Sequence, residues 1–122
     1  MISASAHLPD PEFVYTIMYA YSVFTWDEEK AKTNLRVHGI AFETAREAFG
    51  DPFQVTIENY RLEDENEQRF AMIGMSDSMT LLFVVFGDRS NVDTEILHII
   101  SARKAERYEQ KIYAAHLENQ NY

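Results

Sequence analysis

The hydrophobic pattern of this chain changes its period at residue 53. Phe53, Val55 and Ile57 alternate with polar residues, and strict alternation is typical of a strand that is buried on one face. Further apolar runs of strand length follow at 69–75, 81–86 and 94–100, with an acidic hairpin loop at 63–67. The run at 81–86 is apolar on both faces and is expected to be central. Consecutive strands joined by short turns favour an antiparallel meander.

Two helical patterns precede these strands. Residues 19–26 predict a first strand, which is rich in aromatic side chains. Either Thr25 or Asp27 can cap the helix that follows, and this helix is expected to run to about His38, just before a glycine. A second short helix is predicted over 42–49, because apolar residues recur there at helical spacing.

A third helical pattern closes the chain. Ser101 is a suitable N-cap for a helix over 102–116. Arg103 and Lys104 would then lie at the helix start, where the dipole disfavours cations, so we expect a ligand or a nearby acid to use their charge. The predicted fold class is therefore α+β: an antiparallel β-sheet meander with two N-terminal helices and one C-terminal helix packed on one face.

The chain has 122 residues, which suits one domain. Residues 1–17 carry two prolines and show no period, so we expect an irregular N-terminal arm or extension there, followed by a single domain over 18–122. The sequence has no cysteine, no apolar run long enough to cross a bilayer, and no signal-peptide pattern at its start. These features predict a cytoplasmic protein without membrane contact.

The formal net charge of −9 argues against nucleic-acid binding, because contact with phosphates requires local positive charge. A basic cluster near the C terminus, formed by Arg103, Lys104, Arg107 and Lys111, can still provide such a site locally. The four histidines are scattered and include no pair at helical spacing. No metal site and no cofactor are therefore predicted.

Several short motifs follow one another in an order that resembles a single family. They are F-T-W-D-E-E-K-A-K-T-N-L at 24–35, H-G-I at 38–40, F-E-T-A at 42–45, D-P at 51–52, E-Q-R-F at 67–70, I-G at 73–74 and I-I-S-A-R-K-A at 99–105, with Glu109 and Tyr113 in the last helix. This series is similar to that of the BrnT toxins, which belong to the RelE-like superfamily. The resemblance covers residues 24–113.

The resemblance implies a RelE-like fold and the function of a type II toxin. Such toxins are metal-independent endoribonucleases that cleave RNA and inhibit translation. A cognate DNA-binding antitoxin, here BrnA-like, neutralises the toxin, and the complex contacts operator DNA only through the antitoxin. A homodimer within the toxin–antitoxin complex is compatible with this resemblance. The expected partners are therefore an RNA substrate and an antitoxin.

Metal-free RNA cleavage requires a base for the ribose 2′-OH, cations that stabilise the phosphorane, and an acid for the leaving 5′-oxygen. A guanidinium suits the second role, because its planar fork matches two phosphate oxygens. An imidazole, with an unperturbed pKa of about 6.5, suits proton transfer. The predicted catalytic residues are Arg69, Arg89, His98, Arg103 and Lys104, and the predicted RNA-binding residues are Arg69, Arg103, Lys104 and Arg107.

The candidates also have structural interpretations. Arg69 can pair with an acid on a neighbouring strand, Arg89 can be a solvated turn residue, and His98 can be a half-buried strand histidine with a backbone partner. Glu109 or Tyr113 can assist proton transfer or hold an arginine in place. The residue types alone leave these alternatives open.

Several positions lack the cations that the family usually carries. Met75, Met79 and His98 stand where a basic residue is common, and the last helix lacks the usual series of arginines. Loss of these charges agrees with the net charge of −9. It also supports an alternative function, namely a catalytically weak or inactive BrnT-like subunit that acts through antitoxin binding and operon regulation.

Overall fold

The computed structural model describes residues 22–58 and 68–120. The expected N-terminal arm at 1–17, the start of the first predicted strand and the acidic loop at 63–67 lie outside these residues. The described elements, in chain order, are β1 (Val23–Thr25), α1 (Glu28–His38), α2 (Phe42–Ala48), β2 (Val55–Ile57), β3 (Arg69–Met75), β4 (Leu81–Asp88), β5 (Ile96–Lys104) and α3 (Arg107–Asn119). None of the helices in this part of the chain is long and apolar enough to span a bilayer.

The five strands form one mixed sheet in the order β1-β5-β4-β3-β2. From β2 to β5, each strand pairs antiparallel with the next one in the sequence. Strand β4 is the central strand, as predicted. Strand β1 pairs in parallel with β5. The expected purely antiparallel meander is therefore wrong at this edge. Helices α1 and α2 connect β1 at one edge of the sheet to β2 at the opposite edge. The strands from β2 to β5 then lead back across the sheet, so that β5 lies beside β1.

Helices cover both faces of the sheet, so the expectation that all three pack on one face is wrong. Side chains of β4 alternate between two cores: Leu82 and Val84 face α1 and α2, whereas Phe83 faces α3. The first core contains Phe42, and the second contains Tyr113. We call these two sides the α1/α2 face and the α3 face. The apolar character of β4 on both sides follows from this arrangement.

The last helix begins later than the sequence predicted. Strand β5 continues through Ser101 and Ala102 to Lys104, and α3 starts at Arg107 with Glu106 as its N-cap. Ser101 is therefore a strand residue and not a cap. The strand continues because its backbone pairs with β4 as far as Lys104, where Ala102 is opposite Val84 in the buried core.

A β-bulge and a side-chain amide stabilise this extended strand. Ile100 is an extra residue between Ile99, opposite Phe86, and Ser101, opposite Val85. The bulge lets Ile99 and Ala102, three positions apart, share the α1/α2 face. Strand β1 pairs with β5 only as far as His98. Beyond it, the buried side chain of Asn34 donates to the Ala102 carbonyl (2.8 Å) and accepts from its N–H (3.1 Å).

Helix α1 has the termini that its sequence predicts. Of the two available caps, Asp27 is used: its carboxylate accepts from the N–H groups of Glu29 (2.9 Å) and Lys30 (3.1 Å). Gly39 ends the helix with a φ of 72°, a left-handed conformation that favours glycine. The preceding Trp26 packs edge-on against Phe42 at 5.9 Å and contributes to the core.

Candidate functional site

A row of residues in register crosses the sheet from β3 to β1. Arg69 is opposite Gly87, Gly87 is opposite His98, and His98 is opposite Thr25. We call these four residues the His98 row. Gly87 has no side chain, so only its backbone lies between Arg69 and His98. The backbones of Arg69 and His98 are two strand spacings apart, roughly 10 Å.

The side chains of the His98 row lie on the α3 face. Arg69 continues the alternation of Ala71 and Ile73, which pack in the α3 core, and His98 alternates with Ile99 of the opposite core. Arg69, His98 and Thr25 are half-buried. The Nδ1 atom of His98 lies 2.7 Å from Thr25 Oγ1. A cation and an imidazole are thus held on one face of a rigid sheet, which suits binding of an anion together with proton transfer.

Arg89 lies at the same end of the sheet. It follows the last residue of β4, is exposed, and donates its backbone N–H to the carbonyl of Ile96 (2.8 Å). Ile96 is two residues before His98 and is opposite Val23. The structure therefore brings three of the predicted residues, Arg69, Arg89 and His98, to one end of the sheet.

Arg103 has a different environment at the other end of β5. Its Nη1 and Nη2 atoms donate to Oε1 and Oε2 of Glu109, each at 2.8 Å. The guanidinium also lies 4.4 Å from the ring centroid of Phe83. The Arg103 side chain is 29% exposed and that of Glu109 is 1% exposed. We call these three residues the Arg103 anchor, because they join α3 to β4 and β5.

Glu109 also belongs to the capping box of α3. Its Oε1 accepts the backbone N–H of Glu106 (2.8 Å), while the Glu106 side chain accepts the N–H of Glu109. Burial acts to raise the pKa of Glu109, but the hydrogen bonds from Arg103 and Glu106 and the charge of Arg103 outweigh it, so the pKa lies below its usual value. Glu109 is therefore a carboxylate that holds an arginine, one of the two roles open from the sequence.

The remaining predicted residues lie near the anchor. Lys104 ends β5 and Arg107 begins α3, and both are exposed. His98 and Arg103 are five positions apart along β5, which corresponds to roughly 16 Å. The predicted site residues therefore divide into two groups, one at the His98 row and one around the Arg103 anchor, and they do not form a single cluster.

A buried tyrosine–aspartate contact was not predicted from the sequence. The hydroxyl of Tyr113 donates to Oδ2 of Asp51 (2.6 Å), and Asp51 also accepts the N–H groups of Phe53 and Met75, each at 2.8 Å. Burial and the neighbouring Asp51 carboxylate raise the pKa of Tyr113 to about 12. The sequence analysis named the Asp-Pro pair and Tyr113 as separate motifs, and neither motif indicates a contact between the two side chains.

The α1/α2 face carries a cavity of a different character. Its volume is about 770 Å³, and its floor includes Phe24 and Phe49. Carboxylates outnumber cations in its lining, which contains Glu43, Glu47, Asp77, Glu95 and Arg46. Such a lining repels phosphate groups. Within 22–58 and 68–120, no group of three or more His, Asp or Glu is arranged to hold a metal ion.

Together, the fold and the His98 row define a class: a small α+β protein whose mixed sheet presents an arginine and a histidine side by side on one face. The family model described as the ribonuclease toxin BrnT of type II toxin–antitoxin systems matches residues 26–109. This match spans more than half of the chain, so the chain belongs to the BrnT family. Membership of a toxin–antitoxin family implies an antitoxin partner.

Among solved structures, the chain is similar to the 1.1 Å crystal structure of the Brucella abortus ribonuclease toxin BrnT. It is 26% identical, with a TM-score of 0.45, and the alignment covers 70% of this chain and 99% of that chain. No curated protein sequence matches the chain.

Proposed function

We propose that this protein is a metal-independent endoribonuclease whose reacting phosphate binds over Gly87. The observation that carries the proposal is the register of the His98 row, in which Arg69 and His98 flank a residue without a side chain. The two backbones are roughly 10 Å apart, and both side chains are long enough to reach one phosphate between them. Family membership supports RNA as the substrate.

In the reaction, the ribose 2′-oxygen loses its proton to a base and attacks phosphorus, and the bond from phosphorus to the 5′-oxygen breaks as that oxygen gains a proton. Arg69 and Arg89 supply positive charge for the phosphorane, which carries more negative charge than the substrate. His98 performs one of the two proton transfers at Nε2, since Nδ1 lies against Thr25.

Lys104 and Arg107 contribute to binding along the RNA strand. Lys104 is six positions from His98 along β5, roughly 20 Å, which is a few nucleotides along an extended strand and too far for contact with the same phosphate. Arg107 follows beyond the end of β5. Exposed cations at such a distance attract the backbone without sequence preference. Arg103 contributes chiefly by fixing α3, because Glu109 already occupies its fork.

In the cell, we propose that RNA cleavage by this protein inhibits translation until a DNA-binding antitoxin neutralises it. The net charge of −9 is complementary to the basic region that such an antitoxin needs for operator DNA. Coexpression with the product of the adjacent gene is therefore expected to restore growth and to yield a complex that copurifies.

The test of cleavage uses the full chain, total RNA and EDTA. The wild type is expected to cleave RNA, and His98→Gln is expected to cleave it about 10²- to 10⁴-fold more slowly, the range for a lost proton-transfer group. Arg36→Gln is the matched control, because Arg36 is exposed on α1, on the opposite face. Intact RNA with folded wild type, or equal rates in His98→Gln, would contradict the proposal.

A second function is favoured by one specific observation, the commitment of Arg103 to Glu109. This pair neutralises a cation that the sequence analysis assigned to the site, and Met75 stands where the resemblance leads to the expectation of an arginine. A subunit that binds antitoxin and regulates its operon without cleaving RNA would have this charge pattern. It predicts normal growth on expression and a tight complex with the product of the adjacent gene.

A further inference from the structure

The contact between β1 and β5 places a hydroxyl group against the ring of His98. Thr25 and His98 are direct partners in the parallel register, and Thr25 Oγ1 lies 2.7 Å from Nδ1. Thr25 is the last residue of β1, and its branched side chain has few rotamers in a strand. The contact therefore holds the imidazole from the edge of the sheet.

The protonation states of the two groups restrict the direction of this hydrogen bond. In the imidazolium both ring nitrogens are donors, so Nδ1–H must donate to Thr25 Oγ1. If the ring then releases the proton of Nε2, the bond from Nδ1–H to the hydroxyl is unchanged. If Thr25 donated instead, the neutral ring would carry its proton on Nε2, and Nε2 would have no lone pair to accept a proton.

We propose that Thr25 is a positioning residue: its Oγ1 accepts the Nδ1 proton of His98 and leaves proton exchange to Nε2. The inference rests on the proposed function, because proton exchange at Nε2 favours this tautomer, but the tautomer is measured without RNA. A hydroxyl suits this position because it accepts from Nδ1 in both charge states of the ring.

The test compares Thr25→Val, which keeps the branched shape without the hydroxyl, with Thr25→Ser, which keeps the hydroxyl. Nitrogen-15 NMR of the imidazole, at a pH where the ring is neutral, reports which nitrogen carries the proton. The spectrum of His98→Gln assigns the signals of His98 among the four histidines. Thermal unfolding verifies that each variant is folded.

In the wild type and in Thr25→Ser, we expect His98 to be protonated at Nδ1. In Thr25→Val, a large share of the proton should move to Nε2. RNA cleavage by Thr25→Val should lose about 10- to 100-fold in kcat with little change in KM, a loss set by analogy with partners that orient metal-bound histidines. Thr25→Ser should retain most of the activity.

The two readouts separate this inference from the proposed function. A wild-type ring protonated at Nε2, or an unchanged tautomer in Thr25→Val, would overturn the positioning role whether or not RNA is cleaved. A tautomer shift in Thr25→Val, with RNA left intact by the wild type, would support the positioning role and contradict the ribonuclease proposal. A loss of cleavage that Thr25→Ser shares equally would also count against the hydroxyl.

Discussion

The two ends of the α3 face use their charged groups in opposite ways. At the Arg103 anchor, the guanidinium is matched by a buried carboxylate, both oxygens of which accept hydrogen bonds from it. In the His98 row, the arginine and the histidine are partly exposed and flank a glycine. The comparison teaches that a cation within a family motif can be structural, since Arg103 joins α3 to β5 through Glu109.

The largest expected effect separates the cations of the two ends. Arg69→Gln should lower kcat for RNA cleavage about 10²- to 10³-fold, the usual loss when one well-aimed donor is removed. Arg107→Gln should instead raise KM a few-fold at low salt and leave kcat unchanged, because it removes one distant backbone contact. Steady-state kinetics with a short RNA distinguish the two. Similar losses of kcat in both variants would contradict the division into two groups.

The next effect concerns the stability of the anchor. Arg103→Met should lower the free energy of unfolding by about 2 to 4 kcal/mol, because it leaves the buried carboxylate of Glu109 without its partner. The double variant Arg103→Met, Glu109→Gln should recover most of this loss, since glutamine is neutral and preserves the capping box. Urea unfolding of Arg103→Met, Glu109→Gln and the double variant measures the coupling free energy between the two side chains.

The same double variant sharpens the functional comparison. If Arg103 is structural, the double variant should cleave RNA at nearly the wild-type rate once it is folded. Cleavage that remains as weak as in Arg103→Met, in a protein of restored stability, would show that the guanidinium contacts RNA. A simple Arg103→Ala substitution does not discriminate between these roles, because it changes both the stability and the charge.

The smallest effect involves Tyr113, which joins α3 to Asp51. Its pKa is raised from 10 to about 12 in the folded state, so its contribution to stability is complete below pH 10 and is lost as the pH rises towards 12. Tyr113→Phe should lower the free energy of unfolding by about 1 to 2 kcal/mol at neutral pH. The difference between wild type and variant should shrink between pH 10 and 12, and a constant difference would contradict the assignment.

Much of the fold followed from local signals. Alternation predicted β2, apolar runs of strand length predicted β3 to β5, and Asp27 and Gly39 marked the ends of α1. The parallel pairing of β1 was missed because only three of its residues pair, and alternation carries no information about strand direction. The start of α3 was misplaced because Ser101 is an acceptable cap in isolation, whereas pairing with β4 keeps it in a strand.

The sequence predicted which residues belong to the candidate site, but it did not predict which of them lie close together. The sequence left open whether Glu109 holds an arginine or assists proton transfer, and the bidentate geometry depends on how α3 folds back over β5. Thr25 was considered only as a possible helix cap, and nothing in the sequence linked it to His98, which is 73 residues away in the chain. Contacts of this kind depend on tertiary structure, and local pattern does not encode them.

The extra residue in β5 has a consequence for how this protein can vary. Side chains alternate between the two faces of the sheet up to Ile99 and again from Ser101 onward. Ile100 is the extra residue between these two alternating segments. If the alternation ran unbroken through Ile100, Arg103 would share a face with Ile99 and point into the apolar core, while Ala102 would replace it opposite Glu109. Deletion of Ile100 would therefore leave Ile99 opposite Phe86 and Ser101 opposite Val85 in unbroken alternation, so both halves of β5 would keep their present faces.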